Sequence, residues 1–270
     1  AMSIEQMGAV LLAFEGLSIL SLLLQKKRIP VAIWIQTVIT FAAFVILFMA
    51  PGNDVRVASE IATWMPGYKE LSVGNHLFMT IQWMLSSFAN EGKAFFIAIW
   101  AAGFLLLIKS KKAKVYQILA IVFSVAAILP YAGITFFSEM GIGDIDIEQC
   151  LTELPTWQSM TTQNRIAFFW WIAAVLFTLV LLWKVTGHSV FISMVFLGGI
   201  ASEAVLHFSP TIYASGARVY YLTDLMYLFI ILWMVMRMDS EKKKNLFIAG
   251  AAALGIINFL SQYSIMLLKL

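Results

Sequence analysis

The chain is short of charge. Asp, Glu, Lys and Arg make up 12% of its 270 residues, about half the share of an ordinary water-soluble domain. It has one cysteine, Cys150, so no internal disulfide can form. It has three histidines, at positions 76, 188 and 207, too few to favour a metal centre. The basic residues sit at the ends of apolar runs, so they read as topology signals and make no case for nucleic acid. What fills the chain instead is apolar: 61% hydrophobic residues and a mean hydropathy of +0.87. These numbers predict an all-α fold, a polytopic transmembrane helix bundle in which lipid is the solvent for most side chains.

The apolar runs follow one another with little between them. Gln6 to Leu24 and Pro30 to Ala50 are spans, with Lys26, Lys27 and Arg28 at the turn. Pro51 to Asn75 is polar overall, but Val55, Ile61, Trp64, Met65 and Tyr68 recur at the spacing of a short amphipathic helix lying at the interface. His76 to Ala89 is apolar and about 14 residues long, a length typical of re-entrant or interfacial segments. Lys93 to Ile108 and Val115 to Phe137 are spans, the second with Pro130 inside it. An acidic loop covers 138–164. Arg165 to Trp183, Ser189 to His207, Val219 to Met236 and Leu246 to Leu268 are the remaining spans. Phe168, Phe169, Trp170 and Trp171 read as aromatic anchors at a membrane interface. No soluble domain or internal repeat interrupts the series, so 1–270 reads as one integral membrane domain.

Parity sets the topology. The basic clusters at 26–28, 109–114 and 237–244 should share the cytoplasmic side. This holds if His76–Ala89 does not cross, which gives about eight crossings plus one re-entrant or interfacial segment, with both termini outside. The outer side then collects Glu5, Asn53, Arg56, Glu203, His207, Arg218 and Asp224. Ionisable groups in spans are expensive and usually face a partner or a wet cavity. Glu203 and His207 are four apart and share a helix face. Glu15 lies mid-span, where a neutral, hydrogen-bonded carboxyl or a pair with a basic group are the two alternatives.

Four short elements carry a resemblance: S-I-E-Q at 3–6, K-K-R at 26–28, A-P-G-N-D-V-R at 50–56 and Y-A-S-G-A-R at 213–218. Together they resemble a bacterial polytopic membrane protein family with a P-G-N-x-x-R motif, similar to the O-antigen-type glucosyltransferases of GT-C kind. The likeness implies a membrane glycosyltransferase handling a polyprenyl-phosphate-linked sugar at the outer face of the bacterial cytoplasmic membrane, for cell-surface glycan modification. It implies no cofactor and no metal. Glu5 would be the catalytic carboxylate, and Asn53, Arg56, Glu203, His207, Arg218 and Asp224 would bind substrate. Arginine suits a phosphate because its planar fork meets two oxygens at once. The likeness also implies that 1–270 corresponds to the C-terminal part of longer members, whose catalytic acid lies in an outer loop after their first span. An upstream segment or partner membrane subunit would then complete it. The residues alone leave two further classes open: a transporter or flippase component using Glu15, Glu203 and Asp224 as relay groups, and a non-catalytic assembly subunit.

Overall fold

Each apolar run closes its backbone hydrogen bonds within itself, as a chain rich in aliphatic residues and poor in charge must. The result is a computed structural model of ten α-helices and two short 3-10 turns, with no strand among the described residues, which are 2–24, 26–50, 52–129, 156–187, 190–205 and 220–268. The helices are α1 (Met2–Leu24), α2 (Val31–Phe48), α3 (Asn53–Trp64), α4 (Val73–Asn90), α5 (Lys93–Leu107), α6 (Lys114–Ile128), α7 (Thr162–Val185), α8 (Val190–Ala204), α9 (Tyr221–Met236) and α10 (Glu241–Leu268). The fold class expected from composition is therefore all-α as found. Contacts divide the chain into two compact units. Unit 1 comprises 1–84, 144–160 and 193–226; unit 2 comprises 85–143, 161–192 and 227–270.

Unit 1 is built on the α1–α2 hairpin. Leu22 and Leu23 carbonyls accept the Lys27 and Lys26 N–H groups, and Lys26 takes a positive φ of 54°. This is the bond pattern that ends helices with a left-handed residue, a place where glycine is more usual. Pro30 then caps α2 from extended backbone. Two contacts fix the hairpin as antiparallel: a Cβ on Gly8 would lie 3.0 Å from the Phe44 ring, and Thr40 Oγ1 donates to Glu15 Oε1 at 2.9 Å. On its other side α1 meets α8 through Gly198, where a Cβ would come within 2.7 Å of Phe14. Thr223 on α9 donates to the Gly199 carbonyl at 3.0 Å. The glycine pair 198–199 thus lets neighbouring helices approach α8 closely, the packing device expected where apolar area alone gives no driving force.

Glu15 is 7% exposed, and its second oxygen, Oε2, is buried without a hydrogen-bond partner. Of the two alternatives for this residue, the structure contains the hydrogen bond to a neighbouring helix; among the described residues Glu15 forms no ion pair.

Unit 2 is built around α5, which packs on α6, α7 and α10. Phe96, Trp100, Gly103 and Leu107 recur at helical spacing and are buried. Trp100 is fully buried and donates its indole N–H to Thr178 Oγ1 at 2.8 Å, while Thr178 in turn donates to the Ala174 carbonyl. Phe96 meets Trp171 edge-on at 5.6 Å, and Phe123 stacks on Phe177 at 4.8 Å with the rings 11° from parallel. Such pairs contribute about 0.5–1.5 kcal/mol each beyond their buried area. This corrects the reading of 168–171 as interface anchors only. Phe168 and Trp171 are core residues, whereas Phe169 is exposed. Four consecutive aromatics point round the whole helix, so one side of α7 necessarily faces α5.

Several basic turns of unit 2 meet at one end. Asp239, between α9 and α10, accepts from Lys109 at the end of α5 and from Lys243, both at 2.8 Å. These two ammonium groups hold its carboxyl well below the usual range. Lys184, at the end of α7, sits 6.0 Å from the Tyr116 ring at the start of α6. Lys109 of the 109–114 cluster and the 237–244 cluster therefore meet at one end of unit 2.

The span lengths differ from the sequence reading. Only α7, of the described helices, is by itself long and apolar enough to cross a membrane. Five further apolar stretches are 10–17 residues long: Met7–Leu23, Val31–Leu47, Lys114–Ile128, Val190–Ala204 and Tyr221–Met236. The reason at the third of these is visible: α6 stops at Ile128, two residues before Pro130, and the rest of the expected span lies outside the described residues. Helices α4 and α5 pass the membrane test together but are bent by 69° at Glu91–Gly92.

Two pairs of substitutions test the packing. A Cβ at Gly103 would lie 2.7 Å from a methyl of Leu181, which is itself fully buried and cannot step aside. Gly103→Ala should lower stability by about 1–3 kcal/mol in detergent melts. Gly250→Ala, at a helical site with nothing within 4 Å, should be neutral or stabilising by up to about 1 kcal/mol. At the α1–α2 contact, Thr40→Val leaves both Glu15 oxygens without a partner and should cost about 1–3 kcal/mol. Glu15→Gln retains an acceptor for Thr40 and should melt no lower than the parent. A marked loss with glutamine would mean that charge on Glu15 holds the hairpin.

Candidate functional site

The expected outer-face residues that the structure describes all belong to unit 1. Gly52 adopts a positive φ of 94° and caps α3. Its carbonyl accepts the Arg56 N–H at 2.9 Å, the first bond of the helix. The P-G-N-D-V-R element is thus a left-handed glycine followed by a helix N-terminus. Asp54 lies in the first turn, where a carboxylate complements the helix dipole. Arg56 follows one turn in.

Arg56 is about one-third exposed, and its Nε lies 3.8 Å from Glu60 Oε1. Glu60 was not among the residues expected from sequence, although its i,i+4 spacing from Arg56 is a readable signal. It turns a bare cation into a charge pair. The helix buries Ile61 and leaves Val55 exposed. The apolar face expected from Val55 to Tyr68 is therefore split between protein and surroundings.

Behind α3 the chain makes the 3-10 turn Pro66–Glu70 and enters α4. Met65, Met79 and Trp83 form a buried cluster, with Tyr68, Leu71, Met84 and Tyr220 packed against it. Tyr68 meets His76 edge-on at 4.7 Å, and burial pushes its phenol above the ordinary tyrosine range. Trp83 meets Tyr220 at 5.2 Å. Tyr220 accepts the backbone N–H of Asp224 on its carbonyl, so Asp224 lies in the first turn of α9, one turn on from Tyr220. Its neighbour Thr223 lies 3.4 Å from Ser202 on α8. The next residue, Glu203, is 1% exposed.

The structure thus gathers the 3-10 turn after α3, the start of α4, the last turn of α8 and the first turn of α9 at one end of unit 1. Trp83, Tyr220 and Tyr68, which tie these pieces together, were not picked out as a joining group from the sequence. No local pattern reveals a contact between positions 83 and 220. Glu5 and Asn53 lie in the helices α1 and α3, but their side chains are outside the described residues, as are His207 and Arg218 entirely. Among the described residues no three His, Cys, Asp or Glu side chains come together in a way that could hold a metal ion.

A scan against protein-family models finds no match to this chain, and searches of curated proteins and of solved structures find none either.

Proposed function

We propose that the chain is a multi-pass protein of the bacterial cytoplasmic membrane whose unit 1 presents an outer-face site for a polyprenyl-phosphate-linked sugar, in the manner of a GT-C-like glycosyltransferase acting on cell-surface glycans. The membrane part of this reading is supported by what the helices leave uncovered. On α2, Val31, Trp34, Ile35, Val38, Ile39 and Phe41 are all exposed and cover roughly half of the helix circumference. Water does not tolerate so continuous an apolar surface on a soluble monomer; acyl chains do.

The bend between α4 and α5 supports the count of about eight crossings. Two full crossings in succession would need a near reversal of direction, whereas the pair turns by 69°. As a broken span or as a re-entrant helix followed by a span, the pair contributes one crossing. Residues 82–89 of α4 are almost all buried, and irregular backbone at membrane depth is tolerated only where protein or a wet cavity surrounds it.

The observation that carries the substrate reading is Arg56. It is a partly buried guanidinium one turn inside an amphipathic helix, with Glu60 3.8 Å from its Nε. A phosphate at headgroup depth needs such a cation. In this reading Asn53, Glu203, His207, Arg218 and Asp224 complete the binding site. Glu5 is the carboxylate that would take the proton of the acceptor hydroxyl while the lipid phosphate departs. Activity would also require the upstream segment or partner subunit that the resemblance implies.

A transporter or flippase component is the second reading, and one observation favours it. Helix α4 buries Thr80, Gln82, Ser86 and Ser87, and Gln82 Oε1 lacks a hydrogen-bond partner. Buried polar rows of this kind can line a substrate path.

Arg56 separates the readings. Arg56→Ala should weaken binding of polyprenyl phosphate by about 1.5–3 kcal/mol, the range for hydrogen bonds to charged groups. Arg56→Lys should recover only part of it, since lysine lacks the planar fork. Unchanged binding by both variants would mean that Arg56 merely snorkels to the interface, and the transferase site would have to be abandoned.

A further inference from the structure

The basic end of unit 2 carries a feature that the outer-face site does not use. The Arg237 guanidinium stacks over the Trp233 ring at 4.7 Å. Its side chain is exposed and, among the described residues, makes no ion pair or hydrogen bond. The nearest acid in sequence, Asp239, is already held by Lys109 and Lys243. Arg237 is therefore a cation fixed in place by a ring, with its donors still to be used. On the same helix, Leu228, Phe229, Leu232 and Met236 form an exposed apolar strip that stops where Arg237 begins. Phe191 of α8 meets Phe229 edge-on at 6.1 Å and widens the strip.

We propose that this corner binds one anionic phospholipid, with the phosphate on Arg237 and an acyl chain along the α9 strip. The inference rests on the membrane reading above but on none of the residues of the outer-face site. An amphipathic ligand follows from the arrangement: a cation supported by indole meets the end of an apolar face, so the ligand must be charged at one end and oily at the other. Lys242 and Lys111 at the same end are exposed and add positive potential that attracts anionic headgroups over zwitterionic ones. A free phosphate or a polyanion would use the cations and leave the strip idle.

The test is lipid titration of the delipidated protein in detergent, read by native mass spectrometry, with dioleoyl phosphatidylglycerol, dioleoyl phosphatidylcholine and inorganic phosphate as separate probes. Phosphatidylglycerol should bind in preference to phosphatidylcholine. Arg237→Ala should reduce its affinity about fivefold, the effect of one interfacial cation. Arg237→Lys should keep most of the affinity, and Leu232→Asn should weaken binding while leaving the charge intact. Lys69→Ala, on the 3-10 turn of unit 1, should change nothing. Equal binding of the two lipids, an unaltered preference in Arg237→Ala, or full competition by inorganic phosphate would each overturn the proposal. Alkaline carbonate extraction of native membranes separates the two levels. A protein that stays in the membrane yet shows no lipid preference contradicts this inference alone, whereas one that washes out contradicts the membrane reading and this inference with it.

Discussion

The exposed apolar surface of the helices is the constraint on which everything else depends. Its most extended piece is the outward face of α2, where large aliphatic and aromatic side chains are left uncovered from Val31 to Met49. A surface of that kind is compatible with lipid and hostile to water. In the proposed lipid medium, backbone groups would have to be satisfied inside each segment, which leaves helices as the available form. Helices in lipid gain nothing from apolar area alone, so close contacts must come from small residues, dispersion and hydrogen bonds. Gly103 against Leu181, Gly198 against Phe14 and the Trp100–Thr178 bond are those contacts.

The same constraint explains where polarity survives. Polar side chains are found at helix ends, at the break between α4 and α5, and at a few buried positions with partners. Glu15 leans on Thr40, Ser202 lies against Thr223, and Asp239 gathers two lysines at a turn. In unit 1 the 3-10 turn after α3 meets the start of α9 through the Met65–Trp83 cluster, and the buried Glu203 follows Ser202, which lies against that start. The proposed lipid-linked phosphate sugar would need both charged and aromatic groups at its site.

Much of this was legible in the sequence, for physical reasons that can be named. Helix starts and stops were legible because Pro, Gly and Lys-Lys-Arg act locally; Gly52 and Lys26 take the left-handed conformations that such turns need. The meeting of the second and third basic clusters was legible because charged residues gather at the ends of apolar runs. The role of Trp171 was not, because a run of four aromatics faces every direction and only the position of Phe96 selects one. At Val115–Phe137 the helix ends earlier than hydropathy suggested, at Ile128, because an apolar run does not register where a helix stops. In the candidate site, Arg56 and its helix were legible from P-G-N-D-V-R. The Glu60 pairing was available at i,i+4 but needs α3 to begin at Asn53. The Trp83–Tyr220 contact that joins α4 to α9 had no local signature.

The central proposal is that the chain threads the membrane with α4 and α5 contributing a single crossing, so that the Asp54–Arg56 turn would face outward and the Lys111 turn inward. The most direct measurement is cysteine labelling of intact cells with a membrane-impermeant maleimide, after Cys150→Ser removes the native thiol. Asp54→Cys should label from outside, and Lys111→Cys should label only after the cells are opened. Labelling of Lys111→Cys in intact cells would mean that α4 and α5 cross separately, and would contradict the topology on which the outer-face site is built.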